Sequence, residues 1–178
     1  MVPTRLEFIA AVGDGQTMNT LNYLVRKAFS EGINNGRQGK GSIYVFASGN
    51  GGRHEDQCNF DGYTNSTYSV TVGAVDHTGR HSTYSEACAA NMIVAYSSGS
   101  GKHIVSYHSP STGFLCTPDH FVIDCYGSRE RHVRSYTHSG TSAAAPNAAG
   151  DFALALEARL VSLSNMFCGR FLKAFLML

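Results

Sequence analysis

Two short stretches of this chain hold residue types that could do chemistry together. In Ser139-Gly140-Thr141-Ser142-Ala143-Ala144-Ala145-Pro146, a serine sits between a glycine-bearing loop and an alanine-rich helical pattern. A serine there meets first-turn N–H groups that lack an intrahelical acceptor and the positive end of the helix dipole. An oxygen that becomes anionic at that point is stabilised by groups already in place. A plain helix-capping serine would carry the same local signature. In the second stretch, Ala47-Ser48-Gly49-Asn50-Gly51-Gly52, an asparagine follows an apolar run. Its amide could donate to a developing oxyanion, or Asn50 could simply take a left-handed turn conformation. On the residues alone, each stretch keeps both readings open.

Such groups need rigid elements to aim them. Leu21, Leu24, Val25, Ala28, Phe29 and Ile33 recur at helical spacing, which predicts a helix over 20–33 stopped by Asn34-Asn35-Gly36. Ile43-Tyr44-Val45-Phe46-Ala47 is a continuous apolar run suited to a strand buried on both faces. Further runs at 68–75, 92–96 and 103–107 read as strands, and a helix is expected from Ser142 to Arg159. Residues 108–135 have no clear period and read as loop, with His138 as a loop residue. Helix, buried strand and glycine-rich turn in succession indicate an α/β fold with a largely parallel sheet flanked by helices.

Composition narrows the function. The 178 residues carry a formal net charge of +1, which gives no reason to expect nucleic acid as a partner. Five cysteines without a Cys-x-x-Cys pair argue against a four-cysteine zinc site and leave one thiol outside any disulfide scheme. Gly99-Ser100-Gly101-Lys102-His103 fails as a phosphate loop, because Tyr96 stands at the first glycine position and His103 replaces the Ser/Thr. No stretch is long enough to span a membrane. The run Leu6–Val12, interrupted by Glu7, lacks the pattern of a signal peptide. Asn65-Ser66-Thr67 is a glycosylation sequon.

Taken together, these motifs resemble the kexin/furin-like proprotein convertases among the subtilisin-like serine proteases. The likeness runs from Asp14-Gly15-Gln16-Thr17-Met18 through Gly101, including Gly39–Gly52, Cys58–Ser66 and Tyr84–Cys88, and resumes at His138–Gly150, with wording closest to fungal kexins. The resemblance implies a partial subtilisin-like domain over 13–159, weakest in 108–135, with divergent ends at 1–12 and 160–178. It implies calcium-dependent endoproteolysis after paired basic residues in polypeptide precursors of the secretory pathway or Golgi. Ser142 matches the nucleophile and Asn50 the oxyanion side chain. Ala47, Ser48 and Gly49 match the wall of the pocket for the basic residue, Asp61 its acid, and Tyr63 a more distant subsite. Asp56 and Glu86 match calcium ligands, and Cys58 and Cys88 a disulfide.

Departures from the pattern matter. Gly13 stands where the family has an aspartate, which weakens the expected calcium site. Subtilisin-like triads run Asp, His, Ser along the chain, yet all eight histidines here, the first being His54, follow Asn50. The chain as given is therefore expected to be an incomplete form without the catalytic Asp and His. The alternative is a non-catalytic pseudoprotease or binding fragment. Loss of half the sheet would leave a strand edge open to association with another chain.

Overall fold

The computed structural model describes residues 7–9, 15–108 and 133–159. Its centre is a parallel four-stranded sheet in the order β1-β2-β3-β4, with β1 at Glu7–Ile9, β2 at Tyr44–Ala47, β3 at Ser69–Val75 and β4 at Asn91–Tyr96. The run expected to be buried on both faces, at 43–47, and the strand expected at 68–75 are the inner strands. Tyr44 pairs with Ser69 and Ala47 with Val72, in register throughout. The outer strands β1 and β4 have no partner on their far sides among the described residues.

A helix covers each face. On one, α2 (Thr141–Arg159) lays Ala144, Ala145, Ala148, Ala149, Phe152 and Leu156 onto Val45, Ala47, Val70, Val72 and Ala74. Alanines at the contact let backbone approach backbone, and the residues meeting there are all apolar. Alternation along β2 then sends Tyr44 and Phe46 to the opposite face. There α1 (Tyr23–Gly39) inserts Phe29, whose ring lies 4.6 Å from Tyr44 and 5.9 Å from Phe46.

α1 starts where Asn22 caps it, its Oδ1 accepting from Val25 N at 2.9 Å. Regular helix ends at Gly36, and Arg37 and Gln38 take positive φ, as the Asn-Asn-Gly stop signal predicts. The expected apolar stripe is corrected, however: only Phe29 is buried, and Leu24 is 72% exposed. Amphipathic spacing marks the face that seeks cover; it does not supply the second layer. Among the described residues, no element covers Leu24, Tyr23 or Met18.

A separate antiparallel pair joins β5 (Ile104–His108) to β6 (Val133–His138). The strand expected at 103–107 is present as β5, outside the parallel sheet. One reading is corrected. Val133–His138 is a strand rather than loop, with His138 paired to Ile104. Its mixed polar sequence shows no apolar run, and pairing with β5 supplies its strand conformation. Residues 13 and 14, the centre of the expected loop at 109–132, and the tail at 160–178 lie outside the described residues.

Candidate active site

Parallel strands bring their C-terminal ends to one side of a sheet, where loops can converge. β2 ends there in Ser48-Gly49-Asn50, β4 runs into Ser97, and α2 starts at the same side. The Ser97 hydroxyl donates to Gly140 O at 2.6 Å, and Asn147 Nδ2 donates to Tyr96 O at 3.1 Å. Both bonds fix the N-terminus of α2 against β4.

Asn50 is exposed, and its Oδ1 accepts from Thr141 N at 2.9 Å and from Thr141 Oγ1 at 3.1 Å. With Oδ1 engaged, Nδ2 remains as the donor for a ligand. Ser142 follows Thr141 directly as the second residue of α2, among the N–H groups without an intrahelical acceptor. The two predicted catalytic groups, 92 positions apart in sequence, thus meet through one intervening residue. Thr141 is fully buried and its hydroxyl also accepts from Gly49 N at 3.2 Å, so one side chain ties both partners of the turn.

Two glycines are required here. Gly140 has φ +83°, and a Cβ would press on the Asn50 amide at 3.1 Å. Gly49 has φ +114°, and a Cβ there would collide with the Glu86 carboxylate.

Among the described residues, the Ser142 hydroxyl has no hydrogen-bond partner, from a histidine or any other side chain. His138, four positions earlier, is half-buried, and burial pushes its imidazole pKa down, favouring the neutral form.

The expected specificity wall is the end of β2: Ala47 and Ser48 are buried, and Ser48 N donates to Val72 O at 3.0 Å. Among the described residues, the buried Ser48 hydroxyl has no partner, and neither has Oδ2 of Asp61. Asp61 is 6% exposed, while its Oδ1 accepts from Tyr63 N at 2.6 Å. A buried carboxylate with one oxygen unsatisfied is costly unless something completes it. The Asp61 loop is stapled by the Cys58–Cys88 disulfide that the resemblance implied. Thr64 Oγ1 closes the same turn onto Cys58 O. Tyr63 is half-buried, its ring 5.4 Å from Phe46 and 6.3 Å from Phe29. Its body serves the aromatic cluster under the sheet.

Asp56 and Glu86 both lie against Gly51. The Glu86 carboxylate accepts from Gly51 N at 3.0 Å, and a Cβ on Gly51 would strike Asp56. Both acids are buried, at 7% and 2% exposure, and the Asp56 carboxylate has no partner among the described residues. Two buried carboxylates beside one turn fit a hard cation with oxygen ligands. Among the described residues no third acidic, histidine or cysteine side chain joins them.

Sequence reasoning missed Thr141 and Ser97 as the residues that hold this corner together. Thr141 lies inside the recognised motif, but its partners at Gly49 and Asn50 are visible only once β2 and α2 are docked.

The family model described as the subtilase family matches residues 10–177. The chain is 50% identical over 145 residues to the kexin of Candida albicans, covering 82% of this chain and 13% of that protein. It is 53% identical over 146 residues to the dibasic-processing endoprotease of Yarrowia lipolytica, covering 82% and 14%. It is 45% identical over 146 residues to human proprotein convertase subtilisin/kexin type 7, covering 82% and 17%. The chain therefore spans less than a fifth of the length of these curated relatives. Among solved structures, the serine protease of Aeromonas sobria in complex with its chaperone superposes with a TM-score of 0.63 at 17% identity, over 84% of this chain and 30% of that one. A protease of Pseudoalteromonas arctica gives 0.56 at 21% identity, over 85% and 39%. At these identities the structural likeness shows the fold alone.

Proposed function

The chain belongs to the subtilase family, and on that premise we propose that it is the nucleophile-bearing part of a kexin-type serine endopeptidase. Its substrates are polypeptide precursors cut after paired basic residues, and its place is the secretory pathway. Ser142 attacks the scissile carbonyl, while Asn50 Nδ2 and the Ser142 N–H receive the oxyanion. The observation that supports the reading is the double hydrogen bond from Thr141, the neighbour of Ser142, to Asn50 Oδ1.

The unsatisfied Asp61 oxygen supports basic specificity, because a guanidinium or ammonium from substrate would complete it. The Yarrowia lipolytica relative, a dibasic-processing endoprotease, supports the same reading. Asp56 and Glu86 would hold calcium beneath the pocket, with Gly13 contributing no side chain. The ion would supply positive charge that neutralises two buried acids and stiffens the Gly51 turn.

A second reading, a non-catalytic binding protein, is favoured by one observation: among the described residues the Ser142 hydroxyl has no hydrogen-bond partner. The two readings separate in a chimera in which residues 13–159 replace the matching segment of a kexin catalytic domain that supplies the Asp and His. Hydrolysis of a fluorogenic Lys-Arg peptide, lost in Ser142→Ala, is the expected result. A folded chimera without hydrolysis would leave the binding reading standing.

A further inference from the structure

Asn65-Ser66-Thr67 is the only Asn-x-Ser/Thr triplet in the sequence, and the proteolytic chemistry has no use for it. Its asparagine and threonine are both exposed, in the turn between the Asp61 loop and β3. Asn65 N donates to Asp61 O at 3.0 Å, so the main chain at the sequon is fixed to the specificity loop. Asn65 Nδ2 makes one bond, to Asn59 O at 2.8 Å, at the exposed surface. The Thr67 hydroxyl, the group a glycosylating enzyme needs two positions on, has no intramolecular partner among the described residues. The Cys58–Cys88 disulfide pins the same loop. A disulfide of this kind belongs to the oxidising compartments in which asparagine-linked glycans are also attached.

We propose that Asn65 is an N-glycosylation site at the rim of the specificity loop. The inference rests on the secretory part of the reading above and on none of its catalytic part. Nδ2 attacks the anomeric carbon of an oligosaccharide carried on a polyprenyl diphosphate. The N–C bond forms, the C–O bond to the diphosphate breaks, and the lipid diphosphate leaves as one amide proton is lost. One hydrogen stays on Nδ2, enough to keep the bond to Asn59 O. Asn65 is exposed while Asp61 is buried four positions earlier, so the glycan stands outside the pocket and leaves its acid available to substrate.

The test places the full chain behind a cleavable secretion leader in yeast and weighs the leader-cleaved product before and after peptide:N-glycosidase treatment. The expected result is a single glycan-sized loss of mass with deamidation mapped to Asn65. Asn65→Gln and Thr67→Ala should abolish the loss, and Thr67→Ser should retain it. Leader-cleaved chain, from medium or cell extract, whose mass does not change would overturn the proposal, as would a loss that persists in Asn65→Gln. Leader cleavage reports entry into the compartment without any peptidase activity, so failure of the protease reading leaves this result interpretable.

Discussion

Asn50 Oδ1 accepts two hydrogen bonds from Thr141, from the backbone N–H at 2.9 Å and from the hydroxyl at 3.1 Å. A strand end and a helix start are thereby locked at the point where an oxyanion would form. In the chimera, Asn50→Ala should lower kcat by about 10²- to 10³-fold with little change in KM, the usual cost of one oxyanion donor. Thr141→Val keeps the volume and the backbone bond but removes the hydroxyl. It should cost about 1–2 kcal/mol of transition-state stabilisation, roughly 5- to 30-fold in kcat. An unchanged kcat in both variants would mean that this corner does not hold the oxyanion.

Asp61 keeps one buried oxygen unsatisfied. In the chimera, Asp61→Asn should reduce kcat/KM for a Lys-Arg peptide by an amount equivalent to about 2–5 kcal/mol, the loss when one partner of a buried charge pair is removed. A peptide with a neutral residue before the cut should lose far less. Equal losses on both peptides would argue against a charge pair with substrate.

The Cys58–Cys88 disulfide closes a sequence separation of 30 residues around the Asp61 loop. Replacing both cysteines with alanine should destabilise the chain by about 2–4 kcal/mol in denaturant unfolding. The Asp61 loop, not α2, should become the first site of proteolytic nicking.

Asp76 is buried and anchors the turn after β3. Its Oδ1 accepts from Thr78 N at 2.8 Å, Thr78 Oγ1 at 2.6 Å and Arg80 N at 3.0 Å, and its Oδ2 accepts from the Ser100 hydroxyl. The bonds from Ser100 and then Thr78 hold its carboxyl well below the usual carboxylate range. A depressed folded pKa contributes stability above the unfolded value of about 3.9, lost as pH falls toward the folded value. Asp76→Asn should therefore lower the Tm at neutral pH, and the gap to the parent chain should narrow below about pH 4. A gap constant across that range would remove the carboxylate from the account.

Much of this was legible because buried parallel strands and helix starts leave strong marks. The apolar runs at 43–47 and 68–75 and the Gly-Thr-Ser-Ala stretch mapped onto β2, β3 and α2 within a residue or two. β6 was not legible, since Val133–His138 gains its strand conformation from β5 rather than from apolar patterning. The exposure of Leu24 was not legible either: spacing names a face, and only the docked structure says whether anything covers it. For the site, residue types and spacing singled out Ser142 and Asn50 as candidates, and the family resemblance added Asp61. The link through Thr141 needed the tertiary contact between elements 91 positions apart.

The isolated 178-residue chain, with no histidine before Asn50, should not be labelled rapidly by a fluorophosphonate, because a serine without a positioned base is a weak nucleophile. Stoichiometric labelling of the isolated chain, absent in Ser142→Ala, would show that a base exists within it.

The most direct measurement is fluorophosphonate labelling of the chimera, with the adduct located by peptide mass mapping. The account predicts rapid stoichiometric labelling at Ser142, slowed in Asn50→Ala. An adduct on any other residue, or no adduct in a folded chimera, would contradict the assignment of Ser142 as nucleophile.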